Sequence, residues 1–229
     1  MKNVTVADAR ITGYMSVGGI VGNSDGCVGE ENVCIVQNCH ATATVALHAV
    51  RTTSSDFGGI VGYAIKTNVS GCSSAVTLTS KTGCYHFGGI AGCANDGTLR
   101  NNLAIGATIP NLHFKDDYYD YDASGAIVGY GDATLEHNYY SGCTVGTATT
   151  GIGSGYDING SNDRHDITAN DGAVPAVILS DAGTSLPALA EGEKVAVRRE
   201  FKGGKASTVV FPFDYTPDRK STRLNSSHL

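Results

Sequence analysis

Seven consecutive residues, Asp116, Asp117, Tyr118, Tyr119, Asp120, Tyr121 and Asp122, interleave four carboxylates with three phenols. Aromatic faces beside hydrogen-bonding groups suit sugar recognition, and oxygen donors at this density suit Ca²⁺. A solvated acidic loop whose tyrosines pack on their own support has the same composition. A second run, Asp157-Ile158-Asn159-Gly160-Ser161-Asn162-Asp163, sets oxygen side chains around a glycine as calcium loops do. Position 168 is Thr, however, where a complete EF-hand loop has Glu. Ordinary turn chemistry accounts for the same residues.

The thiols and imidazoles form no recognisable ligand set. Cysteines stand at 27, 34, 39, 72, 84, 93 and 143, an odd number without the close pairing of a disulfide framework. Cys34, Cys39 and His40 come nearest to a zinc signature but lack its spacing. No metal ligand or cofactor is therefore assigned, and the thiols are expected as small core hydrophobes. No G-x-S-x-G string occurs, and Cys39 and His40, as strand neighbours, face opposite ways. No catalytic residue is assigned. The strongest rival is a polysaccharide lyase or hydrolase on a parallel β-helix, but carboxylates do not recur at equivalent repeat positions.

The elements that must position these residues are repeats. Gly18-Gly19-Ile20-Val21-Gly22 recurs as Gly58-Gly59-Ile60-Val61-Gly62, as Gly88-Gly89-Ile90-Ala91-Gly92, and more weakly as Gly125-Ala126-Ile127-Val128-Gly129. Val17, Phe57 and Phe87 precede the first three strings, and Ser124 precedes the fourth. First glycines lie 40, 30 and 37 residues apart, so the unit is about thirty residues with insertions. A second element follows each string and reaches Cys39, Cys72, Leu103 or Tyr139; short alternating stretches such as Ala75-Val76-Thr77-Leu78-Thr79 come next. Units of two or three short strands cannot each bury an apolar face alone, so they are expected to stack. Ile20, Ile60, Ile90 and Ile127 would form one interior ladder, and Cys39, Cys72, Leu103 and Tyr139 another. The competing fold is a β-sandwich with chance glycine similarity, which supplies no reason for the recurrence.

These strings, with Asn38-Cys39 and its counterpart at Cys72, resemble the GLUG repeat, a short glycine-rich β-repeat of bacterial surface proteins common in gut Bacteroidota. The resemblance implies a repeat array over residues 1–150, about four copies, and an extracellular or cell-surface, outer-membrane-anchored location. It says almost nothing about ligand.

Residues 151–175 read as an irregular cap or linker. Lys194–Phe201 alternates as a strand, Gly203-Gly204 makes a turn, and Ser207–Phe213 reads as the return strand. Residues 176–217 thus look like a truncated β-domain, similar to one that follows such arrays in Bacteroidota surface proteins. Residues 218–229 resemble a translated sequencing-library adapter and read as a non-native tail; the natural protein is expected to continue past residue 217, and Met1 to be internal.

Charge narrows the partners. Residues 1–172 hold 8 Lys/Arg against 16 Asp/Glu, which disfavours nucleic acid. No apolar run is long enough to span a membrane, and no signal peptide is read. The expectation is an all-β fold, a short β-solenoid of stacked glycine-rich repeats followed by the start of a second β-domain. Its function is expected to be that of a non-catalytic interaction or spacer module, adhesin-like, contacting a glycan or host cell-surface protein through Asp116–Asp122. The alternative is an accessory stalk of a larger surface enzyme, a peptidase or a polysaccharide-acting one.

Overall fold

The structure, a computed structural model, describes residues 1–26, 33–117, 120–145, 152–154, 173–175, 177–180 and 195–198. Among them there is no helix. The strands fall into five parallel sheets and two separate pairs. Sheet one stacks Thr5–Val6, His40–Ala41, Ser73–Ser74, Leu103–Ile105, Asn138–Ser141 and Ala173–Pro175. Sheet two stacks Arg10–Gly13, Ala46–Ala49, Thr77–Thr79, Thr108–Ile109 and Thr144–Val145. Sheet three holds Met15–Gly18, Ser55–Gly58, Tyr85–Gly88 and Ser124–Gly125. Sheet four holds Val21–Asp25, Val61–Ile65, Ala91–Asn95, Val128–Gly131 and Ile152–Ser154. Sheet five holds Cys34–Gln37, Thr67–Ser70, Thr98–Arg100 and Thr134–Glu136. The chain visits the five sheets in turn and then starts the next rung, which makes a β-solenoid.

The glycine strings set the register. Gly18 pairs with Gly58, Gly58 with Gly88, and Gly88 with Gly125. Glycine is required there by crowding of the backbone at the corner between sheets three and four. A Cβ on Gly58 would lie 1.9 Å from the Val61 carbonyl oxygen, and one on Gly92 would lie 2.4 Å from the Phe57 nitrogen.

Inside the corner the isoleucines stack as the sequence implied. The amides of Ile20, Ile60 and Ile90 donate to the carbonyls of Ile60, Ile90 and Ile127, and the last three side chains are fully buried. Phe57 and Phe87 pair in register with ring centroids 4.6 Å apart, and Val36, Val69, Leu99 and Leu135 align along sheet five. Each full burial of such a side chain contributes about 1.5–3 kcal/mol, which a single rung could not obtain alone.

The second expected ladder is displaced by one residue. Leu103 pairs with Tyr139 and with Ser73, so Cys39 and Cys72 are continued by Asn102 and Asn138. The Cys39 amide donates to Cys72 Sγ (3.4 Å), the Cys72 amide to Asn102 Oδ1 (3.0 Å), and the Asn102 amide to Asn138 Oδ1 (3.2 Å). Asn102 Nδ2 also reaches the Val69 carbonyl (2.9 Å) and Asn138 Oδ1 (2.9 Å). Both asparagines are wholly buried. An apolar pattern passes over them, yet their side chains satisfy backbone groups at a corner, which a buried Leu or Tyr could not do. The residue before each ladder position, Asn38, Gly71, Asn101 and His137, turns the corner at φ between 51° and 62°.

Ile152–Ser154 and Ala173–Pro175 lie in the segment expected to be irregular, yet each pairs in parallel with a strand of the array. Short pieces inside a glycine- and aspartate-rich stretch still add rungs when a neighbour offers an open edge. Val195–Arg198, within the expected Lys194–Phe201 strand, pairs in parallel with Val177–Ser180. Its expected partner Ser207–Phe213, the Asp157–Asp163 run and the 218–229 tail lie outside the described residues.

Candidate functional site

The Asp/Tyr run belongs to an insertion between sheet two and sheet three of the fourth rung. His113–Lys115 and Asp120–Asp122 pair antiparallel, opposing His113 to Asp122, Phe114 to Tyr121 and Lys115 to Asp120. Its neck is tied by Ser124, whose hydroxyl donates to the Pro110 carbonyl (2.7 Å) and accepts from the Leu112 amide (3.1 Å). That gives a reason for the serine at the position where the other strings have Val or Phe.

Five of the seven residues are described, and they stand in different settings. Tyr118 and Tyr119 lie outside the described residues. Asp116 and Asp117 are exposed at the turn. Asp120 pairs with Lys115 Nζ and with His113 Nε2 (2.6 Å), and Asp122 takes His113 Nδ1 (3.1 Å). The Asp122 bond, then the Asp120 bond, raises the His113 pKa, while Lys115 and then His113 lower that of Asp120. Tyr121 packs inward, in line with the reading in which the tyrosines pack on their own support. Its ring stacks on Phe114 at 5.2 Å and lies 5.1 Å from Tyr130, and its hydroxyl reaches His86 Nε2 at 2.9 Å. Burial pushes this phenol far up, so it stays protonated and fit to hydrogen-bond. The alternation of the strand decides this: Asp120 and Asp122 face water, and Tyr121 faces the solenoid.

Beneath Tyr121 lies a constellation that no sequence motif announced. Asp56 and His86 hold equivalent places on neighbouring strands of sheet three, one residue before Phe57 and Phe87. Both sit in the left-handed region, with φ of 62° and 60°. Asp and His are among the residues that tolerate this conformation best. His86 Nδ1 lies 2.8 Å from Asp56 Oδ1, and Asp56 Oδ2 accepts a bond from Ser55 Oγ at 2.8 Å. A carboxylate only accepts, so Nδ1 carries a proton toward Asp56, and Nε2 shares a hydrogen bond with the Tyr121 hydroxyl. The imidazole also stacks on Tyr130 at 4.2 Å. Cys93 completes the group from sheet four, where it pairs with Tyr63 and Tyr130. One donor atom each from Asp56, His86 and Cys93 lie within 4.8 Å of one another.

Side-chain exposure is 12% for His86 and 10% for Asp56. Cys93 is buried, and burial followed by the Asp56 carboxylate pushes its thiol far up. A thiol held this way is the opposite of an activated nucleophile, which needs a lowered pKa. The arrangement is suited to holding a cation or a proton network between two rungs. Sequence reasoning missed it because its residues come from two repeats and meet only in the stack. The signal available was position: the residue preceding Phe57 and Phe87 changes from Asp to His in otherwise alike strings. Cys34, Cys39 and His40 do not converge in this way; His40 Nδ1 bonds Ser73 Oγ at 2.8 Å, and Cys39 Sγ donates to the Gln37 carbonyl.

No curated protein and no solved structure is significantly similar to the chain. Residues 13–46 match the family model described as the GLUG motif. That span runs from the end of Arg10–Gly13 to the first residue of Ala46–Ala49, the next strand of the same sheet, so it is one turn of the coil. With the same turn repeated in register through Gly58, Gly88 and Gly125, the match supports a GLUG-repeat protein.

Proposed function

We propose that this array is a rigid, non-catalytic display module of a secreted or surface-displayed bacterial protein, adhesin-like, that presents the 113–122 hairpin to a glycan or a cell-surface protein. One observation carries the reading: the insertion is braced, not loose. Phe114 meets Tyr85 at 5.0 Å, Tyr121 is anchored on His86, and Ser124 ties the neck, while Asp116 and Asp117 are exposed at the turn. A preordered tip loses little entropy when it binds, the usual advantage of a contact loop on a stiff scaffold. Surface display, adhesion and Bacteroidota origin rest on the GLUG resemblance and belong to this proposal.

The test separates tip from brace. Asp116→Ser with Asp117→Ser is expected to keep the melting temperature and to abolish binding to a glycan array or to host cells. Tyr121→Ser is expected to lower the melting temperature. Binding that survives the tip substitutions would refute the hairpin as contact site.

A further inference from the structure

We propose that Asp56, His86 and Cys93 form a divalent transition-metal site, with zinc the best fit, that rivets the second rung of the solenoid to the third. Asp56 belongs to one rung, while His86 and Cys93 belong to the next. Any ion held by all three therefore cross-links strands that share no covalent connection for about thirty residues, the spacing of Gly58 and Gly88.

The donor set is chemically selective. One thiolate sulfur, one imidazole nitrogen and one carboxylate oxygen are the ligand types zinc accepts, whereas calcium and magnesium require oxygen alone. Bound at lengths of about 2.0–2.3 Å, such donors sit roughly 3.3–3.8 Å apart. The three atoms now lie within 4.8 Å, with Asp56 Oδ1 and His86 Nδ1 at 2.8 Å. Closing the site thus asks for shifts of about an ångström, within rotamer adjustment.

The surroundings supply what ligating histidines need. Binding the ion at Nδ1 displaces to solvent the proton that nitrogen shares with Asp56, and the neutral ring keeps one proton on Nε2, which donates a hydrogen bond to the Tyr121 hydroxyl oxygen, already 2.9 Å away. Such an outer partner fixes ring orientation and tautomer. Stacking on Tyr130 fixes the ring plane. Charge also balances: one carboxylate and one thiolate neutralise a dication, and the Cys93 proton leaves to solvent when the metal–sulfur bond forms. A fourth position stays open for water. Tyr121 is placed as a positioning residue, since its hydroxyl lies on the opposite side of the ring from Nδ1.

Cobalt(II) reports on this directly, because a cobalt–thiolate bond gives a charge-transfer band. Titration of the reduced full chain is expected to saturate the band at one equivalent, and one equivalent of zinc is expected to abolish it and raise the melting temperature by several degrees. Cys93→Ser is expected to remove the band, while Cys39→Ser, Cys72→Ser and Cys84→Ser keep it. Should Cys93→Ser fail to fold, His86→Gln serves, since it preserves a polar partner for Tyr121; metal affinity is expected to fall at least tenfold. A wild-type chain without the band, a band that survives Cys93→Ser, or unchanged affinity in His86→Gln would overturn the site. None of these outcomes depends on whether the hairpin tip binds anything.

Discussion

Replacing Asn102 by alanine removes three side-chain hydrogen bonds from a position with no access to water. The Cys72 amide loses its acceptor at 3.0 Å, and the Val69 carbonyl and Asn138 Oδ1 each lose a donor at 2.9 Å. Asn138 Oδ1 keeps the Asn102 amide at 3.2 Å, so it is not orphaned. The amide of Cys72 is. A buried donor left unsatisfied costs about 1–3 kcal/mol, and each of the two further lost bonds adds roughly 1 kcal/mol net, giving about 3–5 kcal/mol in all. Ladder neighbours on both sides fix the backbone, so water cannot enter to repair the gap. For a domain of this size that predicts a fall of about 10 °C in melting temperature. Asn102→Cys is the control. A thiol at this position accepts an amide in the rung below, as Cys72 Sγ does from Cys39, so roughly half the loss is expected to return. Urea unfolding followed by circular dichroism, with both variants measured beside the wild type, decides it. An Asn102→Ala protein as stable as wild type, or an Asn102→Cys protein less stable than Asn102→Ala, would refute the ladder as a stabilising device.

Ser74→Ala has the opposite sign: Ser74 Oγ is buried without a partner and lies in register between Ala41 and Ala104, so removing it is expected to stabilise by about 1 kcal/mol in the same urea assay. Gly92→Ala places a Cβ 2.4 Å from the Phe57 nitrogen and 2.5 Å from the Asp56 carbonyl carbon, which is expected to cost at least 2 kcal/mol, on the order of other overpacking lesions, and to be seen as a lower urea midpoint. The hairpin clip depends on pH in both directions. His113 is raised above 6.5, so its contribution is complete below that value and is lost as pH climbs through the raised one. Asp120 is lowered from 3.8, so its contribution is complete above that value and is lost as pH falls through the lowered one. Protection of the hairpin amides, taken as the ratio of intrinsic to observed exchange rate, is therefore expected to be greatest between about pH 4 and 6.5, and Asp122→Asn is expected to lower the His113 midpoint in an NMR titration.

Much of the architecture was legible because stacking writes itself into sequence as recurrence. The glycine strings stand in the register they implied, and Ile60, Ile90 and Ile127 are interior. Ile20 is only partly buried, since a residue in the first rung has a neighbour on one side alone. What recurrence could not convey was the burial of polar residues. Counting from glycine to the next apolar residue led to Leu103 and Tyr139, because an asparagine reads as a turn unless its partners are known. The corner between sheets four and five is also one residue shorter in the fourth rung: Ala94 pairs with Gly131 and Thr98 with Thr134. The metal-type cluster was hidden for a related reason. Asp56 and Cys93 are 37 positions apart and unremarkable alone; only the stacking of two strings brings them together. The Asp/Tyr run stood out in the sequence, but its hairpin and the side each residue faces depend on a strand period that a run of mixed spacing conceals.

Pulling on the two ends of this chain would not load its sheets evenly. Each rung is held by the rungs above and below it, so tension peels the outermost turn while the interior stays intact. One turn such as Gly58 to Gly88 stores about 100 Å of slack, taking roughly 3.3–3.6 Å for each residue released. The coil would pay out length in discrete steps of that size, and the first step past Asp56 would have to break whatever joins it to His86. A tether built this way yields without snapping, and it can regain its length turn by turn once the load is gone.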